Sequence, residues 1–146
     1  SAVVSFNMAE DDIKLLMRQP WVTTSSDGSA GHPRMYATFP QKYAKYVLQE
    51  RAISLADFIN SSTGRTADTF KLDGRGHLRP GYFADVVVFD PVRYAARATY
   101  VDPKLPSVGV TALFVNGRLA LRDGAATGVR AGQVLLRPRP PGCPVL

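Results

Sequence analysis

Between residues 10 and 70 the apolar positions of the chain recur at helical spacing. Beyond residue 73 that spacing gives way to runs of β-branched residues punctuated by glycine and proline. Asn7, with Glu10 three positions on and Asp11 and Asp12 beside it, predicts an N-cap and capping box. Ile13, Leu16 and Met17 then share one face, and Pro20 stops the helix. Trp21, Val22, Thr23 and Thr24 predict a short strand over residues 21–26. Pro40 suits the first turn of a helix whose apolar stripe is Tyr43, Ala44, Val47 and Leu48. Ser54 with Asp57 predicts a second cap, for a helix that buries Leu55, Phe58 and Ile59 and closes at Gly64. A further helical turn fits residues 66–70. The aromatic stripe of Tyr43, Tyr46 and Phe58 reads as core rather than as a platform for a ligand.

In the second part, Arg79-Pro-Gly-Tyr82 has the order of a type II turn. Residues 84–89 read as a strand that is apolar on both sides, hence central and covered. Residues 91–109 are irregular. Residues 110–115 and 118–122 flank Asn116-Gly117, a tight-hairpin signal. A last strand is expected near residues 133–137, and the Pro-rich residues 138–146 form an extended tail. Residues 1–70 therefore alternate helix, strand and helix, and residues 71–137 are nearly all β. Neither part completes a sheet alone, so the chain reads as α/β plus all-β and as a segment of a longer protein.

Composition narrows the function. The 146 residues are 45% hydrophobic, enough for a folded core. The net charge is +6, but the excess is local: no acid follows Asp123, while Arg130, Arg137 and Arg139 do. That pattern fits a solvated basic tail better than a nucleic-acid surface. The single cysteine, Cys143, excludes an internal disulfide and a cysteine zinc cluster. No membrane-length apolar run or signal peptide is legible, so a cytoplasmic setting is expected. The start at Ser1 suggests a trimmed or partial polypeptide.

Candidate chemistry concentrates in one loop. Asp27-Gly28 ends the expected strand, and Gly31, His32, Pro33 and Arg34 follow. A carboxylate, an imidazole and a guanidinium thus lie within eight residues at a strand tip, where α/β folds and barrels build their sites. Taken alone, the same residues also fit a plain Asp-Gly turn and a solvated arginine. No His-x-His or His-Glu-x-x-His pair occurs.

Ser25-Ser-Asp-Gly-Ser-Ala-Gly-His-Pro-Arg-Met-Tyr-Ala-Thr-Phe-Pro40 resembles the last barrel strand and following loop of the N-acyl-D-amino-acid deacylases, members of the metal-dependent amidohydrolase superfamily. Arg79-Pro-Gly-Tyr-Phe-Ala-Asp-Val-Val-Val-Phe-Asp90 and Phe114-Val-Asn-Gly-Arg118 are similar to later segments of the superfamily. The resemblance implies the end of a (β/α)8 barrel (residues 1–70) followed by part of a small β-sandwich (residues 71–137). It implies a zinc-dependent hydrolase of N-acyl-D-amino acids, with most zinc ligands in a missing amino-terminal segment. Asp27 would be the catalytic carboxylate and contact the metal. Arg34 would bind the substrate's free carboxylate, and His32 would line the pocket or brace the loop. His77 is given no ligand role. The alternatives are a hydantoinase-like amidohydrolase acting on cyclic amides, which need not present a carboxylate to Arg34, and a non-catalytic basic interaction module. A chain of this extent alone should be inactive. It should also leave the Val86–Phe89 strand and the helix faces at Leu16 and Phe58 partly bare, which favours self-association.

Overall fold

Helix α1 (Glu10–Met17) carries three acids in its first turn, where they oppose the positive end of the helix. The computed structural model describes residues 7–28 and 31–136; Val3–Phe6, Arg137, the Pro-rich tail and Cys143 lie outside them. The α1 N-cap is Ala9 with no side-chain bond, so the expected Asn7 capping box does not form. The helix starts two residues later than that motif requires. Charge, more than apolar burial, holds α1: Lys14 pairs with Glu50 at 2.7 Å, and Lys45 pairs with Glu10. Met17 reaches the core, whereas Leu16 is 47% exposed.

Residues 21–26 form no strand. A ladder needs an extended neighbour, and the backbone bonds found there are a local one, Val22 N–H to the Gln19 carbonyl at 3.2 Å, and one to a helix, Thr24 N–H to the Ser61 carbonyl at 2.9 Å. Helix α2 (Arg34–Lys42) follows and runs into a π-helical segment, Tyr43–Gln49. Pro40 is thus interior to a helix rather than in its first turn. Having no N–H, it leaves the Tyr36 carbonyl without its usual donor. Ser107 Oγ, from the distant loop, donates to that carbonyl instead. The wider π turn begins three residues after the proline.

Helix α3 (Leu55–Ser62) begins as expected: Ser54 Oγ accepts the Asp57 N–H at 3.0 Å. Phe58 is 5% exposed, so that face is covered, but Leu55 and Ile59 are exposed and not part of the core. Gly64 opens helix α4 (Gly64–Phe70) rather than closing α3, which already ends at Ser62. Its lack of a side chain has another use: a Cβ there would lie 2.7 Å from His77 Cε1.

Among the described residues the sheet has four antiparallel strands in the order β1 (Val86–Phe89), β2 (Val110–Val115), β3 (Arg118–Arg122) and β4 (Ala125–Ala126). β1 is an edge strand with Val87 and Val88 half-exposed, not the covered central strand that its valines suggest. β-branched residues favour a strand at any position in a sheet, so composition does not fix its place. The hairpin turns at Asn116 and Gly117, both at positive φ (49° and 76°), as the tight two-residue type requires. Asn116 also accepts from Arg75 Nη2 at 2.7 Å, and its N–H donates to Asp85 at 2.8 Å. Among the described residues, 131–136 form no strand and β4 is the last; Arg137, the end of the expected strand, lies outside them.

The helices and the sheet meet in one aromatic core. Tyr43 is buried among Ile53 and Phe58, with Phe89 and Tyr94 from the β part packed against it. Tyr43 rests edge-on to Phe89, with ring centroids 5.9 Å apart, and donates its hydroxyl to the Pro91 carbonyl at 3.1 Å. The Tyr43–Phe58 stripe is therefore core.

Candidate active site

Asp27 adopts a left-handed conformation (φ 43°), which aspartate tolerates better than most residues. Its own N–H donates to Ser25 Oγ at 3.3 Å, leaving the carboxylate to project outward, 83% exposed. After Gly31, which also has positive φ, Pro33 caps α2 and accepts the N–H groups of Tyr36 and Ala37. Arg34 is thereby the first residue of α2, and its Nη2 lies 3.0 Å from Asp27 Oδ2. His32 Nδ1 accepts the Arg34 backbone N–H at 3.0 Å, which places a neutral imidazole's proton on Nε2. The structure thus brings Asp27, His32 and Arg34 together on one surface loop. The strand expected to carry Asp27 is absent among the described residues, and the Asp27 carboxylate stands in solvent.

An ion pair this exposed contributes ~0–1 kcal/mol, so a ligand carboxylate can replace Asp27 on the guanidinium at little cost. The fork of Arg34 suits bidentate carboxylate binding. Among the described residues, no group of three or more His, Cys, Asp or Glu side chains could hold a metal ion. Asp27 fits as one oxygen donor of a larger set, with the others supplied from elsewhere. His77 is engaged structurally, with Nε2 2.9 Å from Asp68 Oδ1 and the ring edge-on to Tyr82.

Sequence reasoning missed two features beside this loop. Tyr100 sets its ring edge-on to His32, with centroids 5.2 Å apart. Sixty-eight residues separate the two, and no local pattern signals the contact. Lys42 is half-buried and donates to Thr24 Oγ1 (2.6 Å) and Ser61 Oγ (3.0 Å). Burial, with the Arg65 charge adding to it, pushes its ammonium down from 10.5 to about 8. Between those values the unfolded chain keeps a proton that the folded chain has released, so stability rises with pH across this window. The cost is fully present below pH 8. A shift of this size corresponds to ~3 kcal/mol, which solvent screening reduces to ~1–2 kcal/mol. Relative to Lys42→Met, the wild-type protein should gain that amount from pH 7 to 10.5 in chemical unfolding. A pH-independent difference between the two would refute it.

The chain as a whole is similar to known proteins. The D-aminoacylase of Alcaligenes xylosoxydans xylosoxydans is 36% identical over 141 residues, 94% of this chain and 29% of its own length. The N-acyl-D-aspartate deacylase of the same organism is 38% identical over 140 residues, covering 92% of this chain and 28% of its length. A crystal structure of D-aminoacylase superposes with a TM-score of 0.83 at 36% identity, over 89% of this chain and 28% of that one. The N-acyl-D-glutamate deacylase of Bordetella bronchiseptica, complexed with zinc and a phosphonate that mimics the tetrahedral intermediate, superposes with a TM-score of 0.79 at 39% identity, over 88% of this chain and 28% of that one. The chain thus spans less than a third of the length of these relatives. A model described as the amidohydrolase family matches residues 4–121, most of the sequence, and the chain belongs to that family.

Proposed function

We propose that this chain is the carboxyl-terminal part of a zinc-dependent deacylase that hydrolyses N-acyl-D-amino acids to a carboxylate and a free D-amino acid. In this reading, residues 1–70 supply the last strand and helices of a catalytic (β/α)8 barrel, residues 71–137 belong to a β-sandwich, and residues 138–146 are a tail. One observation carries it: Asp27 and Arg34 stand 3.0 Å apart on one loop, in a chain 36–38% identical to a D-aminoacylase and an N-acyl-D-aspartate deacylase. The strand missing from residues 21–26 would form once neighbouring barrel strands lie beside it.

The zinc, when bound, polarises the amide carbonyl and activates water. Asp27 takes the proton released as that water adds to the carbonyl carbon. It then delivers the proton to the nitrogen as the C–N bond breaks. Arg34 holds the amino acid's carboxylate, which fixes the scissile amide relative to Asp27. A cyclic amide need offer no such carboxylate, which favours the open-chain substrate.

The test uses the whole protein with zinc and N-acetyl-D-amino acids, following release of the free D-amino acid. Arg34→Ala should lower kcat/KM for the acids by ~2–4 kcal/mol, the scale of a lost charge-assisted pair. The matching primary amides should lose much less. Equal losses would assign Arg34 a structural role, and preferential turnover of a hydantoin would overturn the substrate assignment. The 146-residue chain tested alone should show no turnover, because its described residues bring no ligand cluster together.

A further inference from the structure

The irregular connection between β1 and β2 reaches back to the amino end of α2 at two points. Ser107 Oγ serves the Tyr36 carbonyl, and the Tyr100 ring meets His32 edge-on at an interplanar angle of 76°. The base of this connection is held by the Ala95–Val108 bridge and by Asp90 N–H donating to the Gly109 carbonyl at 2.8 Å. Its tip is a tight turn. Thr99 N–H donates to the Asp102 carbonyl at 3.0 Å, and Asp102 N–H returns a bond to Thr99 Oγ1 at 3.0 Å. Tyr100 is therefore presented from a braced turn rather than from a loose strand.

The contacts continue toward the candidate chemistry. Tyr100 restricts the His32 ring. His32 Nδ1 holds the Arg34 N–H at 3.0 Å, and the Arg34 guanidinium faces Asp27 at 3.0 Å. Rotation of the imidazole would break the Nδ1 bond and release the first residue of α2. We infer that Tyr100 is a positioning residue, acting through His32 to aim Arg34 at the substrate carboxylate. The β part of the chain thereby contributes to substrate selection in the barrel loop. The inference rests on the deacylase reading above. Tyr100 is 54% exposed, so its replacement leaves the aromatic core untouched.

The experiment compares Tyr100→Ala, Tyr100→Phe, Arg34→Ala and the Tyr100→Ala/Arg34→Ala pair in the zinc-loaded whole enzyme, on an N-acetyl-D-amino acid and its primary amide. An edge-on aromatic contact is of a size to change KM by about 3–10-fold. Tyr100→Ala should raise KM for the acid by that factor, with kcat nearly constant and the amide unaffected. Tyr100→Phe should restore wild-type KM. The double variant should be no worse than Arg34→Ala alone, because the two residues act through one contact. An unchanged KM, an equal loss on acid and amide, or additive losses would overturn the positioning role while leaving the deacylase reading standing. Should Arg34→Ala itself fail to distinguish acid from amide, the role of Arg34 falls, and this inference falls with it.

Discussion

In the whole enzyme, Asp27→Asn is expected to lower kcat by about 10²–10⁴-fold while leaving the fold in place. Asparagine matches aspartate in size and accepts the left-handed conformation at φ 43°, so the backbone carries no new strain. The ion pair to Arg34 is lost, but with the carboxylate 83% exposed this removes little stability. What disappears is the ability to take up a proton and return it to the leaving nitrogen. The rate should therefore fall far more than the Tm. Zinc content measured on the same preparations separates the two roles given to this carboxylate. An unchanged zinc content with a large drop in kcat assigns it to proton transfer. A kcat within threefold of wild type would remove Asp27 from the chemistry.

Gly109→Ala is expected to give the largest loss of stability. Gly109 sits at φ +87°, where side chains are strained, and a Cβ there would come within 2.4 Å of Tyr94 N and 2.5 Å of Arg93 C. Those are backbone atoms, which cannot swing aside as a side-chain end can. They precede and carry Tyr94, whose ring packs on Phe89 and Tyr43 with centroids 4.8 and 5.7 Å away. Strain and overpacking together should cost ~3–5 kcal/mol, read as a lower denaturation midpoint at unchanged slope. A cost under ~1 kcal/mol would mean that the connection relaxes freely. Its tip would then be too loose to hold Tyr100 against His32.

Features set by neighbouring residues were legible in the sequence. Ser54 with Asp57 names its helix start, and Asn116-Gly117 names its turn, because the determining atoms lie within three residues of one another. Asp27, His32 and Arg34 fall on one loop because a stretch of eight consecutive residues holds all three. Legibility fails where a partner is remote. The residues of 21–26 have strand character, but a strand exists only beside another. The valines of β1 do not say which side of a sheet they occupy. Pro40 favours the first turn of a helix, and its interior place is legible only once the Tyr36 carbonyl it orphans finds Ser107. The pairing of Tyr100 with His32 has no local trace at all.

The Tyr36–Ser107 bond also orders events during synthesis. Its two ends are 71 residues apart, so the ribosome delivers the proline-bearing helix well before the hydroxyl that completes it. At ~5–20 residues per second, the interval is about 4–14 s. Throughout that time the carbonyl opened by Pro40 depends on water, and the turn that starts with Arg34 lacks its brace. The segment bearing the arginine is made early but finished late. A nascent chain paused between β1 and β2 holds this helix in a provisional state, however complete the elements before it are.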